Sequence, residues 1–408
     1  MSVPLRRHRL LVGLFAASLF AVTLAGCSWG DTDHPTDSGK ATLSDYESPS
    51  GFKDDLRARI ATHGSDVWMT VIGVDGHDKL KTVVYARSEN GRWEPISKRM
   101  PASIQTGLLL TVDDSGGKTR LCHGFSTANR DAQLTPRIRC ADGGDWYPIH
   151  IPTRLTSMDL MDMYSVNGQT IALFSHAVGA SDSIQLARIE EDAVVPLGPV
   201  KKLPSSTLAV LAQKTSDGSD SAFDVSVESL VSGRRWMISL EDGQWTKSSQ
   251  LPQTITGPMV SGGVRDKQDL YFPVVEAPVQ GKAAFKWPFS VFSIPVPKVK
   301  DGPWTEVDGG SFNVGKGSAQ GSLDAVADEV WASWGENVWN NYKAMPTRYY
   351  AAKLDEGTMV GEPILIWKGV TGAASQTQVA PYKDGQAFLF LRRLTPSSGT
   401  KATVMFRE

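Results

Sequence analysis

A tight turn followed by a tryptophan recurs along this chain. Asn90-Gly91-Arg92-Trp93 returns as Asp242-Gly243-Gln244-Trp245 and as Asp301-Gly302-Pro303-Trp304, with a looser copy at Gly143-Gly144-Asp145-Trp146. Asn-Gly and Asp-Gly supply the positive φ angles of a hairpin turn, and Trp suits the strand that follows. The copies are spaced by about 50 residues or by about twice that, which is typical of the four-stranded units of a β-propeller.

Runs of alternating apolar and polar residues between these turns predict the blade strands. In the run 223–228, Phe223, Val225 and Val227 alternate with polar residues, which predicts a strand buried on one face. Further turns of the same kind separate first and second strands, as at Asn167-Gly168 and Asp384-Gly385. The predicted fold is therefore an all-β propeller of seven four-stranded blades, with six or eight blades as alternatives.

The two ends of the chain predict how the ring of blades closes. The last unit stops after three strands, at Glu408, and the first clear unit lacks an innermost strand. Propellers commonly close when the N-terminal segment completes the final blade, because closure removes an exposed sheet edge. Residues near 40–62 are therefore expected to supply the missing strands. A short helix over Leu56–Ile60 is the alternative for part of this segment.

The first 27 residues resemble a bacterial lipoprotein signal peptide. Three arginines among residues 6–9 precede an apolar run over 10–23, and Leu24-Ala25-Gly26-Cys27 has the form of a lipobox. The resemblance implies that Cys27 receives a diacylglyceryl thioether and becomes the mature N-terminus. A transmembrane anchor would need about 20 apolar residues, and this run is shorter. The paired arginines leave twin-arginine export open beside the general secretory route.

This leader divides the chain into three parts. Residues 1–26 are the signal peptide, 27–50 a polar flexible tether, and 51–408 the propeller domain. We expect an extracytoplasmic, monomeric protein that is anchored to the cell membrane through the lipid on Cys27. The net charge of −2 argues against nucleic acid or anionic lipid as an electrostatic partner, because those partners require a basic surface.

Two further cysteines, Cys122 and Cys140, fall on the second and third predicted strands of one blade. A hairpin centred on residue 131 places them opposite each other, since 122 + 140 = 2 × 131. An exported protein occupies an oxidising compartment, where a disulfide persists. We predict a Cys122–Cys140 disulfide, with two buried free thiols as the alternative.

Catalytic and metal-binding motifs are absent from the sequence. It contains no HExxH, no paired-cysteine zinc spacing, no nucleophile elbow and no phosphate-binding glycine loop. The segment Ser88–Trp93 resembles a shortened Asp-box of the sialidases, but its spacing differs, so the resemblance extends to the fold and not to any catalytic residue. No cofactor, metal ligand or catalytic residue is predicted.

One face of a propeller carries both the loops between second and third strands and the connections between blades. Polar and aromatic residues in these predicted loops form the candidate binding face, which consists of His77, Arg130, His176, Arg235, Trp287, Trp339, Tyr342 and Arg392. Converging groups of this kind are typical of ligand sites, and an ordinary solvated loop is the alternative for each. In the aromatic cluster after residue 330, Trp331 and Trp334 are expected to be blade core, whereas Trp339 and Tyr342 lie in a longer, more exposed loop.

These patterns lead to two hypotheses about function. The first is a non-catalytic, membrane-tethered module that binds a protein or glycan partner through the candidate binding face. The second is an extracytoplasmic glycan-active enzyme, glycosidase-like or lyase-like, with its site in the propeller funnel. Propeller sites are assembled from distant loops and leave no local pattern, so both hypotheses stay open at the level of sequence.

Overall fold

Short alternating runs bounded by turn residues form mostly antiparallel strands in the part of the chain that the structure describes. The computed structural model describes residues 41–44, 52–103, 108–114, 119–128, 134–166, 168–178, 181–216, 222–250, 262–275, 289–298, 302–307, 319–340, 343–369, 377–393 and 399–407. These residues form seven sheets of four or five strands, and the seven-bladed propeller is confirmed. The one α-helix among them is α1 (Thr153–Thr156), between blades 2 and 3.

The first strand in the chain, β1 (Ala41–Ser44), belongs to the last blade. Blade 1 contains β2 (Phe52–His63), β3 (Asp66–Asp75), β4 (Leu80–Arg87), β5 (Trp93–Pro95) and β6 (Met100–Pro101). Blade 2 contains β7 (Leu109–Asp113), β8 (Arg120–Ala128), β9 (Leu134–Ala141) and β10 (Tyr147–Pro148). Blade 3 contains β11 (Asp159–Val166), β12 (Gln169–Val178), β13 (Ser181–Ile189) and β14 (Val194–Pro204).

The remaining blades follow the same order, except that one short strand between two strands of blade 4 belongs to the sheet of blade 5. After β15 (Thr207–Leu211) of blade 4, β16 (Gln213–Lys214) pairs in parallel with a strand of blade 5. Blade 4 continues with β17 (Ala222–Ser229), β18 (Arg235–Glu241) and β19 (Gln244–Gln250). Blade 5 contains β20 (Val264–Arg265), β21 (Asp269–Val275), β22 (Phe289–Pro295) and β23 (Thr305–Glu306). Blade 6 contains β24 (Ala319–Val326), β25 (Glu329–Asn340), β26 (Lys343–Asp355) and β27 (Thr358–Gly369), and blade 7 contains β28 (Thr377–Tyr382), β29 (Gly385–Arg393) and β30 (Thr400–Arg407).

The N-terminal segment closes the ring. Strand β1 pairs antiparallel with β30, with Ala41 opposite Arg407, and β2 is the innermost strand of blade 1. Both strands confirm the prediction that residues near 40–62 complete the first and last blades. The alternative of a helix over Leu56–Ile60 is wrong, because this segment lies inside β2 and pairs with β3. The propeller therefore includes residues 41–44, which the sequence-based division places in the tether.

Hydrophobic clusters join each blade to its neighbours. Among the described residues there are seven buried clusters, one at each junction from blades 1 and 2 round to blades 7 and 1. At the closing junction, Ile60 and Met69 of blade 1 pack in one cluster with Leu389 and Phe406 of blade 7. Burying apolar surface contributes roughly 25 cal/mol per Å². Among the described residues, apolar burial thus stabilises the ring at every junction between blades.

Strand β17 is buried on both faces, which corrects the one-faced burial predicted for residues 223–228. Val225 and Val227 of β17 pack toward blade 3, but the alternating polar residue Ser226 is also fully buried. Its hydroxyl accepts a hydrogen bond from the Gly263 N–H at 3.1 Å, in the segment leading into blade 5. A polar residue on a blade strand faces the next blade rather than water, so it needs a partner there.

Buried aspartates make several of these connections between blades. The Asp55 carboxylate accepts from the Ala402 N–H at 3.0 Å, which joins blade 1 to blade 7. The Asp113 carboxylate accepts from the Thr170 N–H at 3.0 Å, which joins blade 2 to blade 3. An unpaired buried backbone N–H is costly, so these carboxylates satisfy donors that the sheets leave open.

The recurrent turn has the predicted positive φ angle in three of its four copies, the exception being Gly302, and its tryptophan has a further role. The turn glycines have positive φ angles of 81° at Gly91, 83° at Gly143 and 73° at Gly243. The indole N–H of Trp146 donates to the Ile96 carbonyl at 2.8 Å, and that of Trp245 donates to the Pro199 carbonyl at 2.8 Å. In both cases the acceptor belongs to the preceding blade, so this tryptophan also links the outer parts of neighbouring blades.

The Cys122–Cys140 disulfide is confirmed. The two cysteines are opposite each other on β8 and β9, both are fully buried, and their sulfur atoms are bonded. The hairpin therefore has the predicted register, and the alternative of free thiols is wrong.

Candidate functional site

Charged side chains from three blades lie within electrostatic range of one another. Arg59 on β2 lies near enough to Asp162 on β11 and to Asp324 on β24 to lower the pKa of both carboxyls. These residues belong to blades 1, 3 and 6, and blade 1 packs only against blades 2 and 7 in the part of the chain that the structure describes. The three side chains can therefore meet only across the central channel, which we take as the candidate functional site.

Asp162 has a carboxyl whose pKa is raised by burial. The pairing of β11 with β12 shifts register between Leu160 and Asp162. Such a β-bulge changes the direction of the side chains next to it. Burial raises the pKa of the Asp162 carboxyl to about 6, and the charge of Asp324 adds to the rise. Arg59 and the N–H groups of Met163 and Leu211 oppose that rise. The side chain is half-buried, so it retains contact with solvent.

Asp324, in contrast, is held by the blades around it. Its carboxylate accepts hydrogen bonds from the Ser322 hydroxyl at 2.8 Å and from the Val379 N–H of blade 7 at 2.9 Å. The amide of Gln213 lies 3.5 Å away, and the oxygen of the same amide accepts from the Ala325 N–H at 2.9 Å. Burial raises the pKa of Asp324, partly offset by these donors and by Arg59. This carboxylate therefore joins blades 5, 6 and 7.

Two arginines, Arg57 and Arg59, lie on β2, and Arg59 is the one that acts electrostatically on Asp162 and Asp324. Ala58 and Ile60 of this strand pack into the junction with blade 7, so the alternating Arg57 and Arg59 point the other way. Both guanidinium side chains are half-buried. Burial lowers the pKa of Arg57, and the like charge of Arg59 lowers it further.

Tyr164 lies on the same strand as Asp162, and it is near a buried ion pair formed by Asp224 and Arg265. Arg265 of blade 5 donates two hydrogen bonds to the carboxylate of Asp224 in blade 4, one from Nη2 at 2.9 Å and a shorter one from Nε. The Ser239 hydroxyl donates to the same carboxylate at 2.5 Å. Burial raises the pKa of Tyr164 well above its usual value, and the charges of Asp224 and Asp162 add to this effect. The Tyr164 hydroxyl has no hydrogen-bond partner among the described residues, so its link to Asp162 and to the Asp224–Arg265 pair is electrostatic alone.

The residues predicted for the binding face occupy varied places. His77 is exposed in the turn between β3 and β4, where its N–H donates to the Asp75 carboxylate at 2.9 Å. His176 is half-buried near the end of β12, close enough to Asp159 to lower the pKa of that carboxyl, which burial raises. Arg235 is 1% exposed and forms an ion pair with Glu228 at 3.3 Å.

Of the other residues predicted for the binding face, two lie on described strands and three lie outside the described residues. Trp339 and Arg392 lie on the blade strands β25 and β29. Arg130, Trp287 and Tyr342 lie outside the described residues, as does Cys27. Strand β25 continues to Asn340 and β26 begins at Lys343, so the long loop expected around Trp339 is instead an extended hairpin. The binding role of these residues stays a prediction.

Trp331 and Trp334, the first two residues of the aromatic cluster, are buried in the blade core as predicted. Trp331 and Trp334 are 6% and 4% exposed. Trp334 stacks on Tyr350 and on Phe289, with ring centroids 5.6 and 6.4 Å apart, at the junction of blades 5 and 6. These rings stabilise the blades and offer no stacking surface to a ligand.

Within the described residues, no group of three His, Cys, Asp or Glu side chains is placed to hold a metal ion. A search of the same residues finds no helix with the length and apolar character needed to cross a bilayer. The charged residues near the axis lie on strands and therefore outside the loops in which the sequence predicts a binding face. A usable signal exists: Arg57, Arg59, Asp162 and Asp324 are charged residues on strands that open a blade and therefore lie next to the axis.

Comparison with known proteins supports the fold and leaves the function open. No family model and no curated protein matches the sequence. Among solved structures, the chain is similar to the polysaccharide lyase Uly1, with a TM-score of 0.53, 7% identity, and coverage of 92% of this chain and 94% of the lyase. It is equally similar to a PL25 ulvan lyase bound to -[GlcA(1-4)Rha3S]-, with a TM-score of 0.53, 10% identity, and coverage of 89% and 95%. At such identities the likeness shows a shared propeller fold alone.

Proposed function

We propose that this chain is a membrane-tethered extracytoplasmic propeller that binds a glycan without transforming it. The observation that carries this proposal is that Arg59 of blade 1 and Asp162 of blade 3 lie within electrostatic range of each other and that each keeps some solvent exposure. Saccharides present many hydroxyl groups, and a cleft with a few fixed polar groups suits them better than it suits an apolar protein anchor. His176, near the end of β12, extends this polar character toward the face that carries the blade connections.

Glycan binding is tested with the full-length protein in detergent micelles and a panel of neutral and acidic oligosaccharides. We expect at least one glycan to be retained and to remain uncleaved. His176→Ala should weaken that binding about fivefold, the equivalent of one ordinary hydrogen bond. His150→Ala is the matched control, because His150 is exposed and precedes the first strand of blade 3 rather than lying near the channel. Failure to retain any glycan, or equal losses in both variants, would contradict the proposal.

An enzyme acting on glycans is the second candidate, and Asp162 is the observation that favours it. A carboxyl with a pKa of about 6 can act as a general acid or base near neutral pH. Two solved propellers of similar fold are polysaccharide lyases, one of them bound to a saccharide that contains glucuronate. The same glycan panel separates the candidates. Time-dependent shortening of a retained glycan, abolished by Asp162→Asn, would establish the enzyme and exclude the binding module.

Membrane attachment through Cys27 has its own test. The proposal rests on the lipobox Leu24-Ala25-Gly26-Cys27. Replacing Cys27 with Ala removes the acylated thiol, so we expect the protein to leave the membrane fraction or to accumulate as an unprocessed precursor. Fractionation and intact-mass measurement check this, with Ser28→Ala as the control. Unchanged mass and unchanged membrane retention in Cys27→Ala would count against lipidation.

A further inference from the structure

We propose that the junction between blades 1 and 2 is an acid-sensitive opening point of the ring, which is closed while the buried side chain of His123 is neutral and opens when that side chain takes up a proton. His123 lies on β8 of blade 2 and is wholly inaccessible to solvent. The inference concerns the ring itself and does not depend on a glycan in the central channel.

The first argument is the small amount of apolar packing at this junction. Its buried cluster consists of Ala61, Val84, Leu110, Val112 and Leu121. In the part of the chain that the structure describes, this is the smallest of the seven clusters, whereas the cluster between blades 7 and 1 contains sixteen buried residues. Apolar burial contributes roughly 25 cal/mol per Å², so it holds blades 1 and 2 together less strongly than the other pairs.

The second argument is the polar contact that His123 makes across the same junction. Its Nε2 atom lies 3.1 Å from the Thr70 hydroxyl and 3.3 Å from the Thr82 hydroxyl, and both threonines belong to blade 1. The imidazole stacks on Phe125 with ring centroids 4.9 Å apart and meets Trp146 edge-on at 6.2 Å. Side chains of both blades therefore enclose the ring.

The other ring nitrogen, Nδ1, has no acceptor for a proton. It is buried and has no hydrogen-bond partner among the described residues. A neutral imidazole carries one N–H, so Nε2 can donate to a threonine hydroxyl while Nδ1 stays unprotonated. In the cation both nitrogens carry a proton, and a charged N–H would then be buried without an acceptor, which is costly. Protonation therefore requires blades 1 and 2 to separate until water reaches the ring.

The groups that face His123 do not favour its cation. From blade 1, β3 and β4 face it with the uncharged Thr70 and Thr82. Within blade 2 its cross-strand partners are Leu110 on β7 and Arg139 on β9, and Arg139 is the charged group that acts on it. Burial, and after it this like charge, lowers the pKa of His123 to about 3 from its usual value of 6.5.

The direction of the pH dependence follows from these two pKa values. Above a pH of about 3 the closed junction holds no proton at His123, whereas an opened junction binds one below about pH 6.5. The stability that neutral His123 gives the junction is thus complete above about pH 6.5 and is lost progressively as the pH falls toward about 3. Between about pH 7.5 and about pH 4.5 the opening equilibrium should increase about a hundredfold, tenfold for each pH unit below 6.5.

Amide hydrogen exchange in the full-length protein in detergent measures this opening. The Ser103 N–H, in the connection that leaves blade 1, donates to the Ser126 carbonyl of blade 2 at 2.9 Å. Its protection factor, corrected for the intrinsic pH dependence of exchange, should fall about a hundredfold between the two pH values. The Val307 N–H donates to the Val291 carbonyl within blade 5 at 2.9 Å and supplies the internal control, whose protection should change far less.

His123→Gln tests whether the histidine causes the effect. The amide of glutamine takes up no proton in this pH range, so the protection of Ser103 should become nearly independent of pH. His150→Gln is the matched control, because His150 is exposed, and this variant should keep the pH dependence of the wild type. A thermal melt shows whether each variant folds.

Nitrogen-15 NMR of the wild-type imidazoles gives a readout that needs no variant, and it decides the matter if His123→Gln does not fold. We expect the His123 ring to remain neutral in the folded protein at about pH 4.5. A ring that becomes protonated near pH 6.5 in the folded protein, equal losses of protection at Ser103 and Val307, or a pH dependence that persists in His123→Gln would each overturn the inference.

Discussion

Removing the Cys122–Cys140 disulfide is expected to lower the free energy of unfolding by about 3 kcal/mol, since the bond closes a loop whose ends are 18 residues apart. In the chain-entropy account, the bond restricts the unfolded chain more than the folded one. For a domain of this size the change corresponds to a melting-temperature decrease of about 4 °C. Calorimetric melts of wild type and Cys122→Ala/Cys140→Ala measure it.

Reductant supplies the control for this comparison. Both cysteines are fully buried, so alanine also removes packing, and part of the loss in the double variant comes from that source. Reduced wild-type protein should show the disulfide effect alone, and reductant should leave the melt of the double variant unchanged. Coincident melts of oxidised and reduced wild type would contradict a stabilising role for the bond.

The parts of the fold that were predictable from sequence are those that local chemistry or simple arithmetic determines. The Asp242-Gly243 turn needs positive φ, and Gly243 has it. Cys122 and Cys140 are equidistant from the centre of their hairpin, and they pair. The count of strands at the two ends predicted that the N-terminal segment completes the ring, as β1 and β2 do.

Other features depend on the neighbouring blade and could not be predicted from one strand. Ser226 alternates with valines, which indicates a solvent-facing side in an isolated sheet, yet the adjoining segment buries it. Arg235 is predicted both to begin a strand and to belong to the binding face; it does begin β18, but its side chain is buried and paired with Glu228 inside the blade. In a propeller both faces of a sheet are covered, so polar residues on strands are commonly connections between blades.

The channel was missed for a related reason. Arg59, Asp162 and Asp324 are far apart in the sequence, and only the circular order of the blades brings them together. No spacing rule links residues from blades 1, 3 and 6. Once the innermost strands are assigned, however, a charged residue on such a strand becomes a candidate for the axis, and this rule applies to any propeller sequence.

Breaking the buried Asp224–Arg265 pair should produce the largest loss of stability. Both side chains are almost wholly inaccessible, and they join blade 4 to blade 5. Arg265→Met leaves the Asp224 carboxylate buried without its counter-charge, which typically costs about 3–5 kcal/mol. The expected decrease in melting temperature is about 4–7 °C for a domain of this size. Thermal and denaturant unfolding of the variant measure this loss.

A matched control and a double substitution show whether the loss of stability comes from the unpaired carboxylate of Asp224. Arg188→Met removes an exposed pair with Glu190, joined at 2.6 Å on blade 3, and should change stability by about 1 kcal/mol or less. Adding Asp224→Leu to Arg265→Met removes the uncompensated carboxylate, so most of the lost stability should return. If the double substitution is as unstable as Arg265→Met alone, packing rather than charge holds blades 4 and 5 together at this point. If Arg265→Met melts with the wild type, the pair contributes nothing to the junction, and the hydrophobic cluster around Met237 and Phe272 carries it.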